Sequence, residues 1–191
     1  KGAKPFVKWA GGKTQLLSDI ESLLPTDFCS RNITYVEPFV GGGSVLFWLL
    51  QRYPNIQHAV INDVNARLIN VYRVIKAMPQ KLISALHVLE NEYLPMNHAE
   101  RTTYFMEKRR RFNDDKLTNV EQAAIFVFLN RTCFNGLYRE NSKGKFNVPH
   151  GKYVHSKICD EQTIMADSDL LQRVDILCGD FDATKRYAHE D

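Results

Sequence analysis

The chain has 191 residues, of which 44% are hydrophobic, 25% charged and 11% aromatic, with a formal net charge of +3. This composition excludes a disordered, collagen-like or low-complexity protein, and the longest apolar run, Val45 to Leu50, is far short of the roughly 20 residues that span a bilayer. The length exceeds what one small core needs and falls below two full domains, so the chain reads as one domain with a large insertion.

Thr34 to Pro38 reads as a short buried strand running into glycines, and Val45 to Tyr53 as the helix after it. His58 to Ile61 is a second strand, closed by the turn and cap residues Asn62, Asp63 and Asn65. The next helix carries apolar residues at Leu68, Val71, Tyr72 and Ile75, a spacing that marks one buried face. This strand-helix-strand-helix alternation predicts an α/β fold with a parallel sheet. Beyond Met78 the pattern changes to helical segments over 79–93, 98–112 and 119–131. Two short runs, 137–141 and 145–148, joined through Ser142, Lys143 and Gly144, predict a β-hairpin. Asp160 to Gln172 is again helical, and Val174 to Cys178 is a third strand ending in Gly179-Asp180-Phe181. The expected division is therefore 1–77 for the first part of the α/β core, 78–159 for the insertion and 160–191 for the return to the core.

Glu37-Pro38-Phe39-Val40-Gly41-Gly42-Gly43 stands where a doubly wound sheet binds nucleotide-like ligands. The dinucleotide fingerprint would need a glycine at Leu46, which disfavours a nicotinamide cofactor. Asp63, about 20 residues after the glycines, suits ribose hydroxyls and equally suits a helix N-cap. Gly11-Gly12-Lys13-Thr14 resembles the end of a phosphate-binding loop but has Val7 where the first glycine is required, which argues against a nucleoside triphosphate. Residues 131–157 hold six basic residues against Glu140 alone. There the cations are interleaved with aromatics and amides, a mixture that fits DNA phosphates and base edges as well as a solvated hairpin. Cys29, Cys133, Cys159 and Cys178 form no zinc-ligand pattern and no disulfide framework. With no signal-peptide core in Lys1 to Lys13, a reducing cytoplasm is the expected setting.

Phe6-Val7-Lys8-Trp9-Ala10-Gly11-Gly12-Lys13, Glu37 to Gly43, Ile61-Asn62-Asp63, and Phe134 to Arg139 with Phe146-Asn147-Val148-Pro149 together resemble Dam-type DNA adenine-N6 methyltransferases. The match runs in order over nearly the whole chain. The resemblance implies a Rossmann-like S-adenosylmethionine-dependent core interrupted by a mostly helical DNA-recognition domain with a β-hairpin. It implies cofactor binding by Trp9, Lys13, Phe39, Gly41, Gly43, Asp63, Asp180 and Phe181. In the recognition region, Arg139 matches the arginine that reads guanine, Leu137 and Pro149 match recognition contacts, and Phe134 matches an aromatic wedge. Arg131, Asn135, Asn141 and Lys143 complete the expected DNA-binding set. The implied partner is double-stranded DNA at GATC sites, in a bacterial or phage-type setting at the nucleoid, with no metal.

The family's Asp-Pro-Pro-Tyr motif is missing, since none of the seven prolines is adjacent to another. The chain is therefore expected to be an N-terminal piece of such an enzyme, unable to catalyse by itself. The alternative is a non-catalytic remnant that binds DNA and cofactor.

Overall fold

Ile56, Ala59, Val60 and Ile61 are completely buried, and a run of apolar side chains hidden on both faces makes the central strand of a parallel sheet. The computed structural model describes residues 2–187; residues 188–191, the end of the expected return to the core, lie outside the described residues, as does Lys1. The elements run α1 (Leu17–Ser22), β1 (Ile33–Glu37), α2 (Ser44–Arg52), β2 (Ile56–Asp63), α3 (Ala66–Ala77), α4 (Pro79–Tyr93), α5 (His98–Asp114), α6 (Asn119–Thr132), α7 (Glu161–Leu171) and β3 (Val174–Cys178). The sheet order is β1-β2-β3, all parallel, with Glu37 opposite Ile61 and Asp63 opposite Cys178. All three strands thus end on one edge, where open α/β sheets bind their ligands. Among the described residues no helix is long and apolar enough to cross a membrane.

Helix boundaries follow from their caps. Asn65 accepts a hydrogen bond from the Leu68 amide at 3.0 Å and starts α3. Full capping boxes start α5, at Asn97 with Glu100, and α6, at Thr118 with Glu121. Pro79 occupies the first turn of α4, where a missing N–H costs nothing. Residues 13–30 carry no clear period, and they form only α1 and flanking 3-10 turns.

The hairpin expected over 137–141 and 145–148 is corrected. No strand forms there; one antiparallel bridge joins Glu140 to Phe146, and a second joins Cys133 to His150. The Asn141 and Asn147 amides donate across that first bridge to the Lys145 and Arg139 carbonyls, while on its outer edge the Phe146 amide donates to the Asn113 side chain on α5 at 2.8 Å and the Phe146 carbonyl accepts from it at 2.9 Å. At the turn, the Asn141 side chain accepts from the amides of Lys143 and Lys145, and bends the chain out of strand geometry.

Helix α6 is buried nearly all round, from Ala123 to Asn130, as befits a helix enclosed by others. It packs on α3, α4 and α5. One hydrophobic cluster therefore runs from Ala3 through α6 to Val174. The N-terminal segment lies across this assembly. The Lys4 amide donates to Asp167 Oδ1 at 3.0 Å, and the Phe6 carbonyl accepts from the Arg131 guanidinium at 2.8 Å.

Asp167 on α7 is fully buried, and its Oδ2 has no partner. Burial pushes its pKa up to about 8. The unfolded chain releases this proton near pH 4 while the folded chain keeps it, so stability falls as pH rises from about 4 to about 8. Asp167→Asn, which mimics the neutral acid, is expected to remove this part of the slope and to be relatively most stabilising at about pH 8. Urea unfolding of both proteins across that pH interval measures it; parallel pH profiles would refute it.

Candidate functional site: a glycine-turn cavity joined to an exposed segment

The turn after β1 is held from below at several points. The Val40 amide donates to the Asn62 carbonyl at 2.9 Å, and the Asn62 side chain donates to the carbonyls of Pro38 and Gly179. Two glycines are required by geometry. Gly41 (φ +51°) has the Trp9 ring 2.8 Å from where a Cβ would stand, and Gly43 (φ +81°) has the Tyr72 hydroxyl at 2.6 Å and Phe47 at 2.8 Å. Tyr72, fully buried, donates its hydroxyl to the Gly41 carbonyl at 2.9 Å. Asp63 completes the support: Oδ2 accepts from the Gly41 amide at 3.1 Å and Oδ1 from the Asn65 amide at 2.9 Å. The N-cap of α3 is Asn65, not Asp63.

Above this turn lies a cavity of about 290 Å³. Trp9, Lys13, Phe39, Gly41, Gly43 and Asp63, all expected from sequence, line it together. Phe181 joins at the rim, its ring 6.1 Å from that of Phe39, and both rings are about half exposed. Asp180 is not in the cavity wall; its Oδ1 accepts from the Asp182 amide at 3.3 Å and starts the 3-10 turn of Phe181–Tyr187.

Sequence reasoning passed over Glu37, although it lies within the quoted motif. Its side chain lines the cavity, is 5% exposed and meets Lys13 Nζ through Oε1 at 3.3 Å, while Oε2 is sealed from solvent. Burial raises its pKa, and the Lys13 charge, with hydrogen bonds from Tyr35, Lys13 and Leu46, offsets only part of that. A buried carboxylate compensated only in part is thereby held at the cavity wall. The signal available beforehand was an acidic residue at the end of a strand, immediately before the glycines.

Residues 134–149 form the second part of the site. Phe134, Leu137, Arg139, Lys143 and Pro149 are exposed along it, while Gly136, Phe146 and Val148 point inward. Asn147, another residue missed, accepts from Arg139 Nε at 2.8 Å, which leaves the two terminal nitrogens of the guanidinium facing outward. Asn135 adopts left-handed backbone (φ 54°), with its amide on the Tyr153 hydroxyl at 2.8 Å. The carbonyl oxygen of the Asn141 side chain is engaged in the turn. Arg131 does not join this surface: its side chain turns inward to the Phe6 carbonyl, and burial lowers its pKa. The reason is its place on the core-facing side of α6.

Tyr138 links the two parts, and sequence reasoning had not singled out that role. Its ring stacks on Trp9 at 5.2 Å and on Phe126 at 5.2 Å, with Trp9 and Phe126 themselves 6.2 Å apart. The indole that walls the cavity is therefore in contact with a residue between Leu137 and Arg139. Its hydroxyl donates to Glu140, which is 3.5 Å from Arg67 at the start of α3.

With this geometry in place, the comparisons with known proteins are specific. Residues 9–191 match the D12 class of N6 adenine-specific DNA methyltransferases. The chain is 48% identical over 187 residues to the type II methyltransferase M.MjaIII of Methanocaldococcus jannaschii, covering 96% of this chain and 64% of that protein. It is 40% identical over 192 residues to the type II methyltransferase M1.LlaDCHI of Lactococcus lactis subsp. cremoris, covering 98% and 62%. A DNA adenine methylase of Vibrio cholerae is 35% identical over 193 residues, covering 100% and 63%. The chain thus spans a little under two-thirds of the length of these relatives. It belongs to the D12 class of N6 adenine-specific DNA methyltransferases.

Proposed function

We propose that the chain binds S-adenosylmethionine in the glycine-turn cavity and reads double-stranded DNA, at GATC sites, with residues 134–149, as part of an enzyme that methylates adenine N6. Residues 78–159 form the target-recognition insertion in this reading. The observation that carries it is the stack of Trp9 on Tyr138, which makes the cavity wall and the reading segment neighbours.

The cavity suits that cofactor chemically. Glu37, a carboxylate in the cavity wall, matches a cationic ammonium, and Lys13 matches a carboxylate. Gly41 and Gly43 let the ligand approach the main chain where a Cβ would fill the space. Each Asp63 oxygen has a remaining lone pair for ribose hydroxyls. Phe39 and Phe181 offer apolar faces at the rim. When bound, the cofactor supplies a methyl group already activated on a sulfonium. What the chain contributes is placement and exclusion of water. An adenine in a duplex must leave the stack to reach this cavity, and Phe134, half exposed, is placed to fill the gap.

These 191 residues contain no Pro-Pro, and hence no Asp-Pro-Pro-Tyr to accept hydrogen bonds from the adenine amino group. We therefore expect binding of both partners without methyl transfer by these residues alone. A methylation assay on GATC duplexes checks this, and robust methylation would refute it.

Asp63→Ala is expected to weaken S-adenosylmethionine binding by about tenfold or more, because it frees the Gly41 amide as well as removing a ligand contact. DNA affinity should stay nearly unchanged. Calorimetry with the cofactor on both proteins tests this; equal affinities would remove Asp63 from the site.

Arg139→Ala is expected to cost about 1 to 3 kcal/mol of discrimination at one guanine position, the size of a bidentate base contact. Competition binding with single-base-pair variants of the duplex measures it. A loss uniform across sequences would make Arg139 a phosphate contact instead.

A further inference from the structure

His150 follows Pro149 at the return end of the reading segment and has no role in the site described above. It is 9% exposed and sits between two helices of the insertion. Nε2 is 2.7 Å from the Tyr93 hydroxyl on α4, and Nδ1 is 3.0 Å from the Thr102 hydroxyl on α5. Phe105 packs on the ring at 5.2 Å, and His98 stacks on it at 5.8 Å. The main chain beside it fastens both ends of the segment together. Cys133 and His150 form an antiparallel bridge, the Phe134 amide donates to the Pro149 carbonyl at 2.9 Å, and the Gly151 amide donates to the Thr132 carbonyl at 2.8 Å. The imidazole therefore sets where Phe134 and Pro149 stand relative to α4 and α5.

The Thr102 hydroxyl also lies 3.0 Å from the His98 carbonyl. The ring nitrogens offer a donor and an acceptor, and each hydroxyl takes either role, so both contacts are made in either tautomer. The charged and titratable groups facing the ring are Tyr93 from α4, His98 and Arg101 from α5, and Lys152 from the following loop. Burial first, then His98, Arg101 and Lys152, hold the imidazole below its ordinary range.

We propose that His150 is a positioning residue for base reading, which through Tyr93 and Thr102 clamps both ends of Phe134–Pro149 against α4 and α5. The proposal rests on the reading role given to that segment, but the clamp is observable without DNA.

The test uses the full chain as wild type, as His150→Phe, which keeps a ring without hydrogen bonds or titration, and as Tyr93→Phe, which removes a single oxygen. Without DNA, hydrogen exchange at the Phe134 and Gly151 amides is expected to quicken about five- to tenfold in both variants at about pH 8. With DNA, preference for GATC over a duplex with one substituted base pair is expected to fall about fivefold in each variant, at unchanged S-adenosylmethionine affinity. Should His150→Phe fail to fold, Tyr93→Phe carries the same comparison at about pH 8. Unchanged exchange in the variants overturns the clamp whatever the DNA result. Faster exchange with wild-type base preference overturns its role in reading. A wild type that binds both duplexes equally refutes the reading role of the segment, and the positioning proposal with it, while the exchange data still show whether the clamp exists.

Discussion

The arrangement of cavity and reading segment depends on one buried side-chain amide. Asn130, 2% exposed near the end of α6, accepts from the Lys8 amide at 2.8 Å, donates to the Lys8 carbonyl at 2.8 Å, and donates to the Gly136 carbonyl at 3.1 Å. Lys8 precedes Trp9 in the cavity wall, and Gly136 precedes Leu137 in the reading segment. A buried amide satisfied by three main-chain partners holds them in one geometry, because any shift leaves polar groups unpaired away from water. The close approach is tight enough that a Cβ at Gly136 would stand 2.5 Å from Lys8 Cδ. Lys8 and Gly136 are thereby tied to one side chain that lies 122 residues from the first and 6 from the second.

The aromatic stack extends this fastening from main chain to side chains. Trp9, Tyr138 and Phe126 contact each other in near-parallel planes, and Phe126 belongs to the buried helix α6. Helix α6 thus supplies, through Phe126 and Asn130, the surface against which Trp9 and Lys8 are held.

Much of the fold was legible from sequence where a local signal was strong. The helices over 79–93 and 119–132 have clear caps or an initiating proline, and β3 is a short apolar run closed by glycine. The cavity residues were legible as motifs because the glycines, Trp9, Lys13 and Asp63 fall in a recognisable order. What was not legible depends on partners distant in sequence. Nothing local shows that the pairing of 137–141 with 145–148 stops at a single bridge, Glu140 with Phe146. Nor does any local pattern separate Arg131, turned inward to the Phe6 carbonyl, from Arg139, which faces out. Composition treats both as cations beside aromatics. Only the direction of α6 in the core distinguishes them.

Three buried carboxylates show how differently this interior treats the same group. Asp63 receives a main-chain amide on each oxygen and so needs no counter-ion to remain in place. Asp167 receives one amide, leaves Oδ2 unpartnered within the core, and is satisfied by a proton, as its raised pKa shows. Glu37 lies between these cases: Lys13 engages Oε1, and Oε2 is sealed from solvent beneath the cavity wall. Burial favours its protonated form, and the Lys13 charge, with hydrogen bonds from Tyr35, Lys13 and Leu46, opposes that only in part. The same group is thus held by main-chain donors at Asp63, by a lysine at Glu37 and by a proton at Asp167, in step with how many donors each place supplies.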